Sequence, residues 1–267
     1  MLKVRVITAV VIAIIGLGAI FFTPPTVFAL LALGVVVVVG GWEAARLAQL
    51  QTPWKMGGYI ALLTGVGAAL WWLAGMQWSG AWLGGVALGW AAPLHWLRHP
   101  EKSHASGPVA VFLGGVLIAT WLSLVMLQSI NPWLIVWVIA IVAGADIGGY
   151  FFGRGIGGAK LAPSVSPKKT WAGAVGGVAI AGLVAPVAQI ALPVGSATPW
   201  VWTALLGMAL AIISIIGDLS ISLFKRQAGL KDSSHLLPGH GGILDRLDSL
   251  GAALPFFTLA MAALHHL

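Results

Sequence analysis

The chain has 267 residues, of which only 8% are charged and 59% apolar, with 14 basic residues against 7 acidic ones, a formal net charge of +7 and no cysteine. Soluble domains carry about 25% charged residues, so a water-soluble globular enzyme is excluded, and without thiols so are disulfide frameworks and thiolate catalysis. What remains is an all-α polytopic integral membrane protein.

A hydrocarbon core about 30 Å thick takes about 20 mostly apolar residues per helical crossing. On that measure the chain offers nine spans, at residues 4–22, 25–41, 57–75, 80–96, 108–128, 132–153, 172–192, 199–222 and 250–266. The first follows Lys3 and Arg5 as a secretory signal would. A second span comes directly after it, with no small-x-small cleavage site leading into a soluble domain, so it reads as an uncleaved crossing. The connections Thr23–Thr26, Gly75–Gly80, Gln128–Pro132 and Leu192–Pro199 carry no charge. The alternate ones carry Lys3 and Arg5; Arg46 and Lys55; Arg98 and Lys102; Arg154, Lys160, Lys168 and Lys169; and Lys225, Arg226, Lys231 and Arg246, which are all 14 basic residues. Basic loops face the cytoplasm, so the amino terminus is expected inside and His265-His266-Leu267 outside. The chain reads as a single membrane domain over 1–267. Its N-terminal helices occupy 1–130, and the catalytic helices 131–267 carry cytoplasmic loops at 153–171 and 223–249. The compact size points toward a bacterial inner (plasma) membrane.

Chemistry has three places to sit. Asp146 and Asp218 are the only acids inside these spans, where a carboxylate at mid-bilayer costs about 2.5–3.5 kcal/mol on insertion scales. Ser214, Asp218, Ser222 and Lys225 share one helical face and form a polar stripe toward the loop. An interhelical ion pair would account for the acids as well as a substrate site would.

The loop after the sixth span runs Gly153-Arg154-Gly155-Ile156-Gly157-Gly158-Ala159-Lys160, and then S-V-S-P-K-K-T-W-A-G from Ser164 to Gly173. Arg154, Lys160, Lys168 and Lys169 could neutralise a triphosphate or an anionic lipid head group, although cytoplasmic loops are basic for topological reasons alone.

The densest cluster lies between Ser222 and Asp248. Lys225, Arg226, Lys231 and Arg246 suit phosphate oxygens, and Asp232, Asp245 and Asp248 suit a hard divalent cation. Pro238-Gly239 makes a turn. Gly241-Gly242 leaves backbone N–H groups bare at a helix start, an anion cradle. Asp245 and Asp248, three apart, project to one face. His240 either exchanges protons or phosphate contacts with a substrate or only hydrogen-bonds the loop. This is the residue set of a phosphoryl or nucleotidyl transfer site.

The order and spacing of Gly217-Asp218, Ser222-Leu223-Phe224-Lys225-Arg226, Lys231-Asp232, His240-Gly241-Gly242, Asp245-Arg246 and Asp248 closely resemble the C-terminal signature of the phosphatidate cytidylyltransferases, the CDP-diacylglycerol synthases. A second region resembles the same family: an Asp near a helix end before Gly153-Arg154, then Ser166-Pro167-Lys168-Lys169-Thr170-Trp171. Ala172 departs from it by standing where the family usually has Glu. The first half of the chain matches only in hydropathy and general plan.

The resemblance implies CTP + phosphatidate → CDP-diacylglycerol + pyrophosphate, in phospholipid biosynthesis. The expected cofactor is Mg²⁺, with room for a second cation, held by Asp218 and Asp245 with Asp248 in support. Lys225, Arg226, Lys231 and Arg246 would bind phosphates. Asp146, Arg154, Lys160, Ser166, Lys168, Lys169, Ser222, His240, Gly241 and Gly242 would complete substrate binding. CTP and membrane phosphatidic acid are the expected partners, with no nucleic acid and with room for a homodimer. On this reading Asp245→Asn abolishes turnover and leaves folding intact. The competing readings are a CTP-dependent kinase of an isoprenoid alcohol, a secondary transporter using Asp146 and Asp218, and a scaffold inactivated by Ala172.

Overall fold

The apolar runs fold as helices in a computed structural model, which describes residues 2–99, 106–195 and 198–263. Helix α1 spans Leu2–Phe22 and α2 starts at Pro25 and ends at Ala32. A seven-residue π-helical segment, Leu33–Val39, then widens the second crossing before α3, Gly40–Leu47. Its run of five valines is β-branched and crowds an ordinary α-turn. The helical stretch thus continues six residues past the expected end at 41, and that extension carries Glu43 and Arg46.

Helix α4 (Pro53–Gly89) is followed by α5 (Ala91–Arg98), α6 (Ser106–Ile130) and α7 (Trp133–Gly155). The expected connection at Gly75–Gly80 is corrected here, because α4 is helical over all 37 of its residues. A straight helix of that length would extend about 55 Å, but α4 is not straight. Leu63 lies over Gly114, and Trp71 lies 6.0 Å from Trp121, so this part of α4 advances alongside α6. Trp90 is back beside Phe112, with ring centroids 5.0 Å apart. The chain therefore bends back toward Phe112 between Trp71 and Trp90, the residue that follows α4.

The all-α reading holds for the long apolar elements, with one short addition outside them. Between α7 and α8 (Trp171–Ala191) the chain forms an antiparallel hairpin of β1 (Lys160–Ala162) and β2 (Ser166–Thr170), pairing Lys160 with Thr170 and Ala162 with Ser166. The remaining elements are α9 (Trp200–Gln227), the single turn α10 (Leu244–Leu247) and α11 (Leu250–Ala263).

Among the described residues six helical stretches are long and apolar enough to cross a membrane, and α11 is a shorter apolar helix. The terminal His265 and His266 lie outside the described residues. This is a helical membrane protein with a small β-hairpin between α7 and α8.

Small residues set the packing that matters for the site. A Cβ at Gly177 would lie 2.6 Å from the Ala145 carbonyl oxygen, and one at Gly173 would lie 2.7 Å from that of Gly149. The backbones of α7 and α8 are therefore nearly in contact, the close approach that small residues permit between helices in lipid. Gly207 brings α9 equally near α8, with the Ala181 carbonyl oxygen 2.5 Å from its would-be Cβ. Gly217 lets α9 approach the turn before α11, where a Cβ would strike the Asp248 carbonyl oxygen and lie 2.7 Å from Ala252 Cβ. Below these contacts Trp137 and Phe257 are fully buried, edge to face at 5.3 Å, and the Trp137 indole donates to the Ala185 carbonyl at 2.8 Å.

Candidate active site

Because α7, α8 and α9 pack so closely, the two acids of the helix interiors meet the basic hairpin. Lys169, on β2, forms an ion pair with Asp218 Oδ2, and the Ser222 hydroxyl donates to Asp218 Oδ1 at 3.2 Å. Asp146 lies within electrostatic range of Lys169, Asp218 and Arg246. The hairpin itself is anchored at Thr170, whose side chain caps α8 by accepting from Gly173 N–H at 3.1 Å.

Asp146, Arg154, Lys160, Lys168 and Lys169 all line one cavity of about 610 Å³. Arg154 also donates to the Tyr150 hydroxyl at 3.0 Å across its wall. Ser166 pairs within the hairpin and does not line this cavity. In the expected polar stripe, Ser214 differs from its neighbours. It is buried and spends its hydroxyl on the Ala211 carbonyl at 2.9 Å.

The C-terminal loop is organised around two buried carboxylates. Asp245 Oδ1 accepts from Lys225 Nζ at 2.6 Å. Its Oδ2 accepts from the Ser233 N–H at 2.8 Å, lies 2.9 Å from the Ser233 hydroxyl, and accepts from Gly242 N–H at 2.9 Å. Burial pushes this carboxyl upward, but the Lys225 hydrogen bond and charge and the two N–H donors outweigh it and hold the group below the usual carboxylate range.

The second carboxylate is Glu43, from α3, and the sequence reading missed it. It is completely buried. Its Oε1 accepts from the Ser234 hydroxyl at 2.6 Å and Ile243 N–H at 3.0 Å; its Oε2 accepts from Leu244 N–H at 2.7 Å and lies 2.9 Å from the Ser233 hydroxyl. One turn along α3, Arg46 donates to the Ser233 carbonyl at 2.9 Å and lies over the Trp42 ring at 5.1 Å.

The anion cradle expected at Gly241-Gly242 therefore exists, but the anions in it are the protein's own. Gly242 N–H is taken by Asp245, and the next two N–H groups by Glu43. Gly242 is required there, because a Cβ would collide with Glu43 Oε1 and the Ser233 hydroxyl. Lys225 is likewise buried and paired with Asp245.

Asp248 follows α10, and its Oδ1 accepts from the Ser249 N–H at 2.8 Å. Its carboxyl is raised to about 7 by burial and then by the negative charge of Asp218, against the backbone N–H of Ser249 and the charges of Lys225 and Arg246. A folded-state value above the ordinary 3.8 means that the native protein keeps this proton while the unfolded chain loses it. That contribution to stability is complete below about pH 4 and is lost as pH rises through about 7. Without divalent cations, the melting temperature in detergent is expected to fall between pH 5 and 7, and Asp248→Asn to flatten that slope. An unchanged slope in the variant would contradict the assignment.

A second cavity of about 540 Å³ is lined by Arg5, Lys231, Asp232, His235, His240 and Arg246, among others. Arg5 comes from α1 and packs against Gly239, whose φ of +76° makes the Pro238-Gly239 turn. His240 Nδ1 is buried without a hydrogen-bond partner. Arg226 is exposed and lines neither cavity. Among the described residues no group of three or more His, Asp or Glu side chains converges closely enough to hold a metal by itself.

The sequence model of the Cytidylyltransferase family matches residues 3–264. The chain belongs to that family. It is 43% identical over 270 residues to a Pseudomonas aeruginosa protein named phosphatidate cytidylyltransferase, with 98% of each chain covered. It is 36% identical over 287 residues to a Haemophilus influenzae protein of the same name, covering 97% of this chain and 98% of the relative. A Brucella suis protein, also so named, is 49% identical over 137 residues, 49% of each chain. The family match thus includes the N-terminal half, which on motifs alone shares only hydropathy and plan.

Proposed function

We infer that this protein transfers the cytidylyl group of CTP to phosphatidic acid, giving CDP-diacylglycerol and pyrophosphate, in phospholipid biosynthesis. The observation that carries the reading is the ion pair of Lys169 with Asp218, within electrostatic range of Asp146, Asp248 and Arg246, in a chain with full-length relatives of that name. A phosphate oxygen of the lipid attacks the α-phosphorus of CTP, the bond to the β-phosphate oxygen breaks, and pyrophosphate leaves with the displaced charge. Positioning and charge stabilisation suffice for such a transfer, and no protein nucleophile is needed.

The cavity between the hairpin and α7 to α9 takes the nucleotide end. Lys160, Lys168, Lys169 and Arg154 meet its phosphates there. Lys231 and Arg246, in the second cavity, hold further phosphate oxygens. Ser222 orients Asp218. Lys225 is held by Asp245 between that carboxylate and Asp248 and supplies fixed positive charge.

Asp218 and Asp248 fit a hard divalent cation: each is an oxygen donor, and of the two causes that raise the Asp248 carboxyl, burial first and then repulsion from Asp218, a bound dication relieves the second. When bound, Mg²⁺ supplies neutralisation of the triphosphate and of the leaving pyrophosphate. Asp245, with three donors already on it and the Ser233 hydroxyl shared with Glu43, serves this reading better as the holder of Lys225 and the loop than as a metal ligand. Nine crossings would place every basic loop and both cavities on the cytoplasmic side of a bacterial inner membrane.

The test is pyrophosphate release by protein purified in detergent, with CTP and Mg²⁺, with and without phosphatidate. Release that requires phosphatidate is the expected result. Formation of CDP from an isoprenoid alcohol would replace the reading with that of a kinase. Gradient-driven uptake without nucleotide turnover would replace it with that of a transporter.

A further inference from the structure

We propose that Glu43 is a positioning residue for the transferase site, acting through Ser233 and Asp245 on Lys225; this rests on the functional reading above. Glu43 is one of only seven acids in the chain and lies on α3, far in sequence from every motif that carries the chemistry. Its carboxylate is fully buried, and every donor to it comes from the Ser233–Leu244 segment: two hydroxyls and two backbone N–H groups. A buried carboxylate is retained only if its oxygens are satisfied, and four donors satisfy this one. The converse holds too, since without Glu43 the Ser234 hydroxyl and the Ile243 and Leu244 N–H groups lose their acceptor, and the Ser233 hydroxyl is left to Asp245 alone.

The contacts form a continuous path. The Ser233 hydroxyl is 2.9 Å from Glu43 Oε2 and also 2.9 Å from Asp245 Oδ2. It has one proton to offer the two carboxylates, so both pull on the same hydroxyl. Asp245 in turn holds Lys225 at 2.6 Å. Ile243 and Leu244, whose N–H groups Glu43 accepts, lead into α10, which carries Asp245 and Arg246 and delivers the chain to Asp248. Arg46 makes a second grip on the same loop through the Ser233 carbonyl. Helix α3 thus fixes the register of the loop against the end of α9. Glu43 lines neither of the two cavities, so its effect belongs to the geometry of Lys225, Arg246 and Asp248 and not to substrate contact there.

Two variants separate this role from a general need for folding. Glu43→Gln keeps the shape but turns one acceptor oxygen into an amide donor facing other donors. Ser234→Ala removes a single hydroxyl that touches Glu43 and leaves Asp245 untouched, while Ser234→Thr restores the hydroxyl. Each protein would be purified in detergent and assayed for pyrophosphate release, with trypsin cleavage after the exposed Lys231 followed in parallel. Supporting partners of a reactive centre typically matter by about 10–100-fold. The expected result is a fall of kcat of that size in Glu43→Gln, with KM for CTP changed less than about threefold. Ser234→Ala is expected to show a smaller fall, recovered in Ser234→Thr, and both impaired variants to show faster cleavage at Lys231.

Wild-type kcat in folded Glu43→Gln overturns the proposal, as does a loss of rate that only tracks the unfolded fraction. If Glu43→Gln does not fold, a wild-type rate in Ser234→Ala overturns it. A wild-type protein that releases no pyrophosphate would sink the functional reading instead. The clamp is then judged by the cleavage rate alone, and unchanged protection in Ser234→Ala counts against it.

Discussion

Asp218→Asn is expected to lower pyrophosphate release about 10²- to 10³-fold while the protein remains folded, the loss typical of removing one preorganised charge-stabilising group from a transfer site. The substitution is isosteric. The asparagine side chain can still accept the Ser222 hydrogen bond through its carbonyl oxygen, so the cytoplasmic end of α9 keeps its local structure. What disappears is the negative charge that pairs with Lys169 and that Asp248 and Asp146 both sense. Lys169 is then no longer tethered to α9, and the carboxylate pair on which a divalent cation would sit is halved.

The measurement is kcat for pyrophosphate release over a range of Mg²⁺ concentrations, beside the melting temperature followed by tryptophan fluorescence. A folded variant with the normal rate at ordinary Mg²⁺ would remove Asp218 from the site. A normal rate regained only at much higher Mg²⁺ would keep it there as a metal-holding group.

The half of the site built on α9 and the two basic loops was legible in the sequence because charge is so rare in this chain. Asp146 and Asp218 stand out in apolar runs, and the cavity walls contain Arg154, Lys160, Lys168, Lys169, Lys231 and Arg246, as their residue types suggest. What could not be read was the direction of the loop's own hydrogen bonds. Bare N–H groups at such a turn look equally ready for a substrate phosphate or for a protein carboxylate; Gly242 N–H goes to Asp245, and only the fold brings Glu43, 200 residues away, to the neighbouring Ile243 N–H.

One signal for Glu43 was nevertheless present. The run ending at 41 continues through Trp42, Ala44, Ala45 and Leu47, so apolar periodicity extends the helix by another turn and makes Glu43 a third acid within an apolar helix. Arg5 and Arg46 were missed for a related reason. Their positions are explained fully by topology, which hides the fact that one lines a cavity and the other holds Ser233. The unbroken α4 was missed because glycines at 75 and 80 favour a break by propensity, whereas in lipid every backbone N–H and C=O must be satisfied. Retaining helical bonds through a bend meets that demand and a loop does not.

Asp245→Asn is expected to differ from Asp218→Asn by damaging the fold of the loop as well as the rate. The uncharged amide keeps one acceptor oxygen and replaces the other with an NH₂ donor. Either orientation sets that donor against existing donors: the Lys225 ammonium on one side, or the Ser233 and Gly242 N–H groups on the other. Lys225 is also left buried without its counter-charge, and breaking a buried pair in this way costs about 3–5 kcal/mol.

Because the Asp245 carboxyl lies below its ordinary 3.8 in the folded protein, its stabilising contribution is complete above that pH and is lost only in stronger acid. The melting-temperature deficit of the variant should therefore be constant from about pH 6 to 9. A marked drop in melting temperature together with lost turnover and faster trypsin cleavage at Lys231 is the expected outcome. Lost turnover with an unchanged melting temperature and unchanged cleavage would instead return Asp245 to the role of a cation ligand, because only a group that the fold does not need can be neutralised without structural consequence.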